Sequence, residues 1–306
     1  MSVAAGLVSV VIPNYNYGRY LREAIDSVFG QTYPHLEVIV VDDGSTDNSL
    51  NVLRGYGNRI RWMQQVRQGV STARNRGIQE SRGELVAFFD SDDLWHPEKL
   101  SKQVAYFHRP SVGMVYCGRQ LVDEGGRCLA TERPEGSGWL LNDIALLRWT
   151  QAPGGSTALV RRGCLDRVGL FDPALSTSAD WDFWRRIACF YEIHAVPEPL
   201  VFYRQHAAAM HRDVEVFERD MHYAFSRMFE DAAAAAIHPL RRHCYSNLYL
   251  TLSGAYLHAR RWDRCLAYAW RSLLAWPPNV AAMASFPVRR FRRSIEAHPQ
   301  PRRSQD

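Results

Sequence analysis

The segment Gly83-Glu84-Leu85-Val86-Ala87-Phe88-Phe89-Asp90-Ser91-Asp92-Asp93 constrains the fold more than any other stretch of the chain. Leu85 to Phe89 form an unbroken apolar run of strand length, the pattern of a strand buried on both faces. It leads directly into three carboxylates within four positions. Burying such charge without partners costs on the order of several kcal/mol per ion. The cluster therefore belongs at a strand end that faces water, a cation, or both. Asp90-Ser91-Asp92 sets two hard oxygen donors on one turn, a pairing suited to Mg²⁺ or Mn²⁺. In isolation the same residues would serve equally well as a solvated turn or a helix cap.

Two further strands end in the same way. Leu36-Glu37-Val38-Ile39-Val40-Val41 meets Asp42-Asp43-Gly44-Ser45-Thr46-Asp47, and Val8-Ser9-Val10-Val11-Ile12 stops at Pro13-Asn14-Tyr15-Asn16. Helical patterns lie between them. Tyr20 to Phe29 puts Leu21, Ile25 and Val28 on one face, and Thr46-Asp47-Asn48-Ser49 caps a helix carrying Leu50 and Leu53. Strands and helices in alternation with short connections imply right-handed βαβ units and a parallel sheet. Ligands of such sheets bind beyond the carboxyl ends of the strands, where all three polar clusters fall.

Val8 to Asp47, the stretch Gly69-Val70-Ser71-Thr72-Ala73-Arg74-Asn75-Arg76-Gly77, and Gly83 to Leu100 closely resemble, in that order, the family 2 glycosyltransferases. The resemblance covers residues 7 to 206. It implies the α/β GT-A fold, Rossmann-like, with a mixed, mostly parallel central sheet flanked by helices. It also implies a nucleoside diphosphate sugar donor, Mn²⁺ or Mg²⁺ at the Asp-x-Asp motif, and transfer with inversion at the anomeric carbon.

The site residues follow from that resemblance. Pro13, Asn14 and Tyr15 would line the nucleoside pocket, with Tyr15 able to stack on base or ribose. Asp43 would accept from the base edge, commonly uracil N3–H, which favours UDP or dTDP over CDP; Asp42 beside it would cap the Gly44-Ser45 turn. Arg74 would reach base or phosphate. Asp90 and Ser91 would lie at the nucleotide, Asp90 contacting ribose or metal-bound water. Asp92 would ligate the metal directly, and Asp93 would support it or cap the next helix. His206, closing Tyr203-Arg204-Gln205-His206, would ligate metal or meet the diphosphate, although a lone histidine is more often structural. The general base of the family sits in a Glu-Asp pair that opens a helix. Here Ser178-Ala179-Asp180-Trp181-Asp182 occupies that place, so Ala179 replaces the Glu and Asp180 is the expected base, with Asp182 as runner-up. Trp139, Trp149 and Pro153-Gly154-Gly155-Ser156 fall where acceptor loops are expected.

The resemblance implies a catalytic domain (1–211), beyond which the residues read as a helical extension (212–286) and a basic tail (287–306). Asn247 to Tyr256 and Trp262 to Trp276 resemble one tetratricopeptide-like helix pair, a unit too small to bury its own apolar face well. The tail carries Arg289, Arg290, Arg292, Arg293, Arg302 and Arg303 against Glu296 alone, in a chain of net charge +5. With Trp276, Met283 and Phe286 upstream, it suits an anionic membrane surface; the stacking aromatics of an RNA-binding module are missing, so no nucleic-acid partner is expected. Six cysteines without a CxxC pair or zinc-type spacing suit a reducing compartment. No basic stretch precedes Leu7 to Ile12, and the nearest approach to a membrane span, Ser272 to Val288, is broken by three prolines. A cytoplasmic enzyme, peripheral on the inner face of the membrane, is the expectation. Its acceptor would be a glycan or lipid-linked hydroxyl in cell-surface polysaccharide synthesis. The alternatives are a catalytically weak nucleotide-sugar-binding or scaffolding protein, against which Asp92 and Asp180 are both present, and a nucleotidyltransferase, which would need a Gly-rich basic loop where Pro13-Asn14-Tyr15-Asn16 stands.

Overall fold

Four parallel strands build the first half of the sheet: β1 (Ala4–Asn14), β2 (Leu36–Asp42), β3 (Arg61–Gln64) and β4 (Gly83–Phe88). The helices α1 (Gly18–Phe29), α2 (Ser49–Arg54) and α3 (Val70–Glu80) alternate with them. Then follow β5 (Leu94–Trp95), α4 (Lys99–Val104), β6 (Val112–Val122), β7 (Cys128–Glu132), α5 (Leu141–Ala145), β8 (Leu159–Arg161), α6 (Leu165–Val168), α7 (Ala179–Ala188), β9 (Glu192–Arg204) and α8 (Val214–Glu230). The computed structural model describes residues 3–148, 154–206 and 213–284. Trp149, Pro153 and the basic tail lie outside them, as does Phe286, and nothing is described of the Met283 side chain.

The strand order is β3-β2-β1-β4-β8-β6-β9-β5, with β7 paired to β6. Antiparallel β8 joins β4 to β6, while β6 and β9 form a long parallel pair. The three strands expected from the sequence are all present. Their register sets Asn14 beside Asp42, and Val11 beside Phe88, so the three polar clusters share one edge. On one face Val8, Val10, Ile12, Val38 and Val40 meet Leu21, Ile25 and Val28 of α1 in a continuous core. The other face receives α3, whose Gly77 must come close to β1: a Cβ there would lie 2.3 Å from Val11 Cγ1.

Two compact units divide the chain, Met1–His238 and Pro239–Asp306. Helix α8, placed in the extension on sequence, thus belongs to the first. Asp220 explains why: its buried Oδ2 accepts from the backbone and hydroxyl of both Ser176 and Thr177, at 2.8–3.1 Å, just ahead of α7. Trp181 of α7 also stacks on Phe225 of α8 at 5.0 Å. The second unit contains α9 (Arg241–His258), α10 (Trp262–Ala275) and α11 (Asn279–Ala284). The expected antiparallel pair is α9 with α10, turned at Arg260 in left-handed backbone (φ 58°). Among the described residues no helix is long and apolar enough to cross a membrane.

Candidate active site

The shared strand edge is organised by its own carboxylates. Asp42 is fully buried, accepting from Asn14 Nδ2 and from the Ser45 backbone N–H, both at 2.9 Å. It holds the Gly44-Ser45 turn as expected. Pro13 lies beyond the last β4 pairing, opposite Val41 of β2. Asn14 keeps its buried Oδ1 without a protein partner. Asp43 accepts three N–H groups at 2.8 Å, from Gln65 Nε2 and the backbones of Gln68 and Gly69. That ties the loop before α3 to the end of β2 and leaves a carboxylate about one acceptor position for a ligand. Arg67 of the same loop lies over the Tyr15 ring, 4.1 Å from its centroid. Gln65 and Arg67, which carry no motif, therefore lie against Asp43 and Tyr15.

Helix α3 brings Arg74 into the centre of the site. Its guanidinium is buried, donating from Nη1 to Asp180 Oδ1 at 2.6 Å and from Nη2 to Asp90 Oδ1 at 2.8 Å. Burial opposes its charge, but Asp180 and Asp90 hold the guanidinium pKa above its ordinary value. Both terminal nitrogens thus donate to carboxylates, while Nε is buried without a partner. The neighbouring motif residues fix α3 to the loop that leads into α7. Asn75 exchanges two hydrogen bonds with the Phe171 backbone, and the Ser71 hydroxyl donates to the Leu175 carbonyl.

Asp180 stands in the first turn of α7. Phe183 and Trp184 of this helix pack with Phe171 against Phe88 at the end of β4, which seats the helix beside the Asp-x-Asp turn. Asp180 Oδ1 accepts from Arg74, and Oδ2 accepts from the Gly155 backbone at 2.9 Å. Burial and the nearby Asp90 raise its pKa despite the Arg74 charge. Gly155 is required here, since a Cβ would come within 2.8 Å of Arg74 Nη2. Asp182, by contrast, is buried between Arg185 and Arg186, accepting from each at 2.9 Å. It lines a separate cavity of about 370 Å³ with Asp231 and Arg227.

The Asp-x-Asp turn holds an excess of negative charge. Asp92 Oδ2 lies 2.9 Å from His206 Nε2, and burial together with Asp90 raises its pKa. Asp93 is fully enclosed, accepting from the Ser156 hydroxyl at 2.5 Å and the Arg204 backbone at 3.1 Å. Its pKa is pushed well above the usual carboxylate range by burial, Asp92 and Asp90. Ser156 also accepts from the Asp90 backbone, so the Gly155-Ser156 turn supports both Asp180 and the acidic turn. The sequence had placed that stretch at an acceptor loop; only tertiary pairing reveals this second connection. Ser91 Oγ and His206 Nδ1 are buried without protein partners. Tyr17 packs edge-on to His206 at 5.4 Å, and Trp139 is exposed. Among the described residues no three His, Cys, Asp or Glu side chains close around a single point as a metal cage.

A mixed sheet with carboxylates gathered beyond its parallel strand ends, a buried arginine between two of them, and a helix-borne aspartate opposite, defines a GT-A glycosyltransferase architecture. The family model described as glycosyl transferase family 2 matches residues 9–216, and the chain belongs to that family. An uncharacterized glycosyltransferase of Rickettsia prowazekii is 33% identical over 212 residues, 68% of this chain and 66% of that protein. The chain spans from about a third to just under two thirds of the length of the first curated relatives it matches. In structure it is similar to Staphylococcus aureus TarS 1-349 in complex with UDP-GlcNAc, at 18% identity, covering 86% of this chain and 90% of that one with TM-score 0.61. It is also similar to the mannosyltransferase PcManGT of Pyrobaculum calidifontis in complex with GDP-Man and Mn²⁺, at 22% identity, 95% and 84% coverage and TM-score 0.63.

Proposed function

We propose that the chain transfers a sugar from a nucleoside diphosphate sugar to an acceptor hydroxyl, with inversion at the anomeric carbon and Asp180 as general base. The carrying observation is the Arg74 bridge: one buried guanidinium joins the Asp-x-Asp turn at Asp90 to the aspartate that opens α7. Family membership supplies the reaction class. The nucleoside would lie against Pro13, Asn14 and Tyr15, with Asp43 accepting from the base edge and favouring UDP or dTDP. Asn14 Oδ1 and Ser91 Oγ, buried and unpartnered, are polar atoms in which a bound nucleotide would find partners.

The residues present fit a divalent cation. Burial and then Asp90 oppose the ionised form of Asp92, and His206 retains an unpartnered ring nitrogen. Asp92 and His206, with Asp90 alongside, would hold Mn²⁺ or Mg²⁺; Mg²⁺ sites commonly use one or two carboxylates plus substrate phosphates, so a three-residue protein cage is not required. When bound, the metal would supply charge neutralisation to the leaving diphosphate. Asp180 takes the acceptor proton at a carboxylate oxygen. Gly155 and Arg74 fix its orientation, and the raised pKa brings its basicity closer to working pH.

The acceptor is proposed to be a glycan or lipid-linked hydroxyl of a cell-surface polymer, met at an anionic membrane surface to which residues 287–306 contribute charge. The test is a panel of nucleoside diphosphate sugars incubated with the full chain, with and without Mn²⁺. Metal-stimulated release of one nucleoside diphosphate supports the proposal. Binding of every donor without turnover, unaffected by Asp180→Asn, would favour the nucleotide-sugar-binding alternative.

A further inference from the structure

The second unit has an apolar core of its own, in which Leu248, Leu252 and Tyr256 of α9 and Tyr268 of α10 are buried. Between α9 and α10 it buries hydroxyls and an amide: Ser246 and Ser272 each donate to the other's backbone carbonyl at 2.9 Å, Ser253 donates to the Cys265 carbonyl, and Asn279 Nδ2 donates to both Ser246 and Ser272. Outward it turns a row spaced by four residues, Trp262, Leu266, Trp270 and Leu274, which are 61, 67, 63 and 61% exposed. The outward face of a helix in water is ordinarily polar, and a contiguous exposed apolar patch marks an interaction surface.

Charge selects the partner. Pro239–Asp306 carry twelve arginines, no lysine and three carboxylates, a surplus of nine positive charges in a chain whose total is +5. The first unit is therefore net negative. Nine like charges on each copy oppose pairing this face with the same face of a second chain. Tryptophan and leucine beside exposed arginines match the boundary between lipid headgroups and acyl chains. We infer that the Trp262-Leu266-Trp270-Leu274 row of α10 docks the protein flat on an anionic lipid bilayer. The inference extends the membrane reading above from the charged tail to a folded surface.

The test is co-sedimentation of the full chain with phosphatidylcholine vesicles, with and without phosphatidylglycerol. The variants are Trp262→Ser/Trp270→Ser and a chain ending at residue 286. Burial of one large apolar side chain is worth about tenfold in partitioning, so the double tryptophan variant should lose about a hundredfold while its melting temperature without vesicles stays unchanged. The chain ending at 286 should still bind anionic vesicles, more weakly and with a smaller salt effect. Vesicle binding by the parent that survives the double variant would overturn the role of the row alone. Absence of binding by the parent would remove the membrane reading as a whole. A melting temperature lowered by the double variant, or a dimer converted to monomer, would show that the row is covered by protein, and the inference would fail.

Discussion

Removing Arg74 tests the construction of the site most directly. Arg74→Met deletes the single guanidinium shared by Asp90 and Asp180. Breaking a buried ion pair costs about 3–5 kcal/mol when the surviving charge stays buried. Asp90 and Asp180 retain 29% and 24% of their side-chain exposure, so water reaches both and the lower figure, about 3 kcal/mol, applies. At roughly 2–4 °C per kcal/mol for a domain of this size, the melting temperature should fall by about 6–12 °C. Activity should report the same charge in a second way. Arg74 lowers the Asp180 pKa against burial and Asp90, so without it that pKa rises further. A base acts when ionised, and the rising limb of kcat/KM against pH should therefore move to higher pH. Arg74→Lys keeps the charge as a point and cannot span two carboxylates in a fixed fork; it should recover more stability than activity. In a double-mutant cycle, Arg74→Met should cost at least about 1 kcal/mol less when Asp180 is already Asn. A melting temperature within about 1 °C of the parent, with the pH limb unmoved, would refute the assignment of this bridge.

Asp180→Asn should lower kcat by about 10² to 10⁴-fold and leave donor binding by calorimetry unchanged, whereas Asp182→Asn, which removes the buried carboxylate shared by Arg185 and Arg186, should lower the melting temperature more than turnover. The reverse pattern would mean that the base has been placed one step wrong in α7. Asp92→Ala should abolish the Mn²⁺-dependent part of nucleoside diphosphate binding while circular dichroism stays native; undiminished metal dependence would move the metal elsewhere. Among the diphosphates, UDP and dTDP should bind more tightly than CDP in calorimetry, and Asp43→Asn should narrow that gap. CDP as the tightest ligand would overturn the base-edge role of Asp43.

The parallel half of the fold was legible because its information is local. Leu85 to Phe89 and Leu36 to Val41 are unbroken apolar runs, and polar residues follow each without a gap. The antiparallel half was not, since β8 is three residues long and β9 carries Pro197 and Pro199 in a strand of half-buried pattern. Neither has a period that a single sequence reveals. The limit of the first unit was hidden for a related reason: α8 is fastened by Asp220 to Ser176 and Thr177, a contact across more than forty residues. Arg74 stood out in sequence as a cation near the nucleotide, but its two carboxylate partners lie 16 and 106 residues away. Residue type announced the charge, and only the fold could say what it answers.

The same accounting explains how the site accommodates Ala179 in the place where the family carries Glu. Ala179 is fully buried, so a carboxylate at that position would need its own partner or a raised pKa. The site already sets Asp90, Asp92, Asp93 and Asp180 against one buried guanidinium, and burial raises the pKa of Asp92, Asp93 and Asp180. Another buried carboxylate would add to that strain. Asp180 draws its two hydrogen bonds from Arg74 and Gly155, neither of which involves residue 179. The geometry of the proposed base is thus independent of the missing Glu. What the replacement removes is a negative charge beside Asp180, and a lower Asp180 pKa than a glutamate neighbour would impose is its expected consequence.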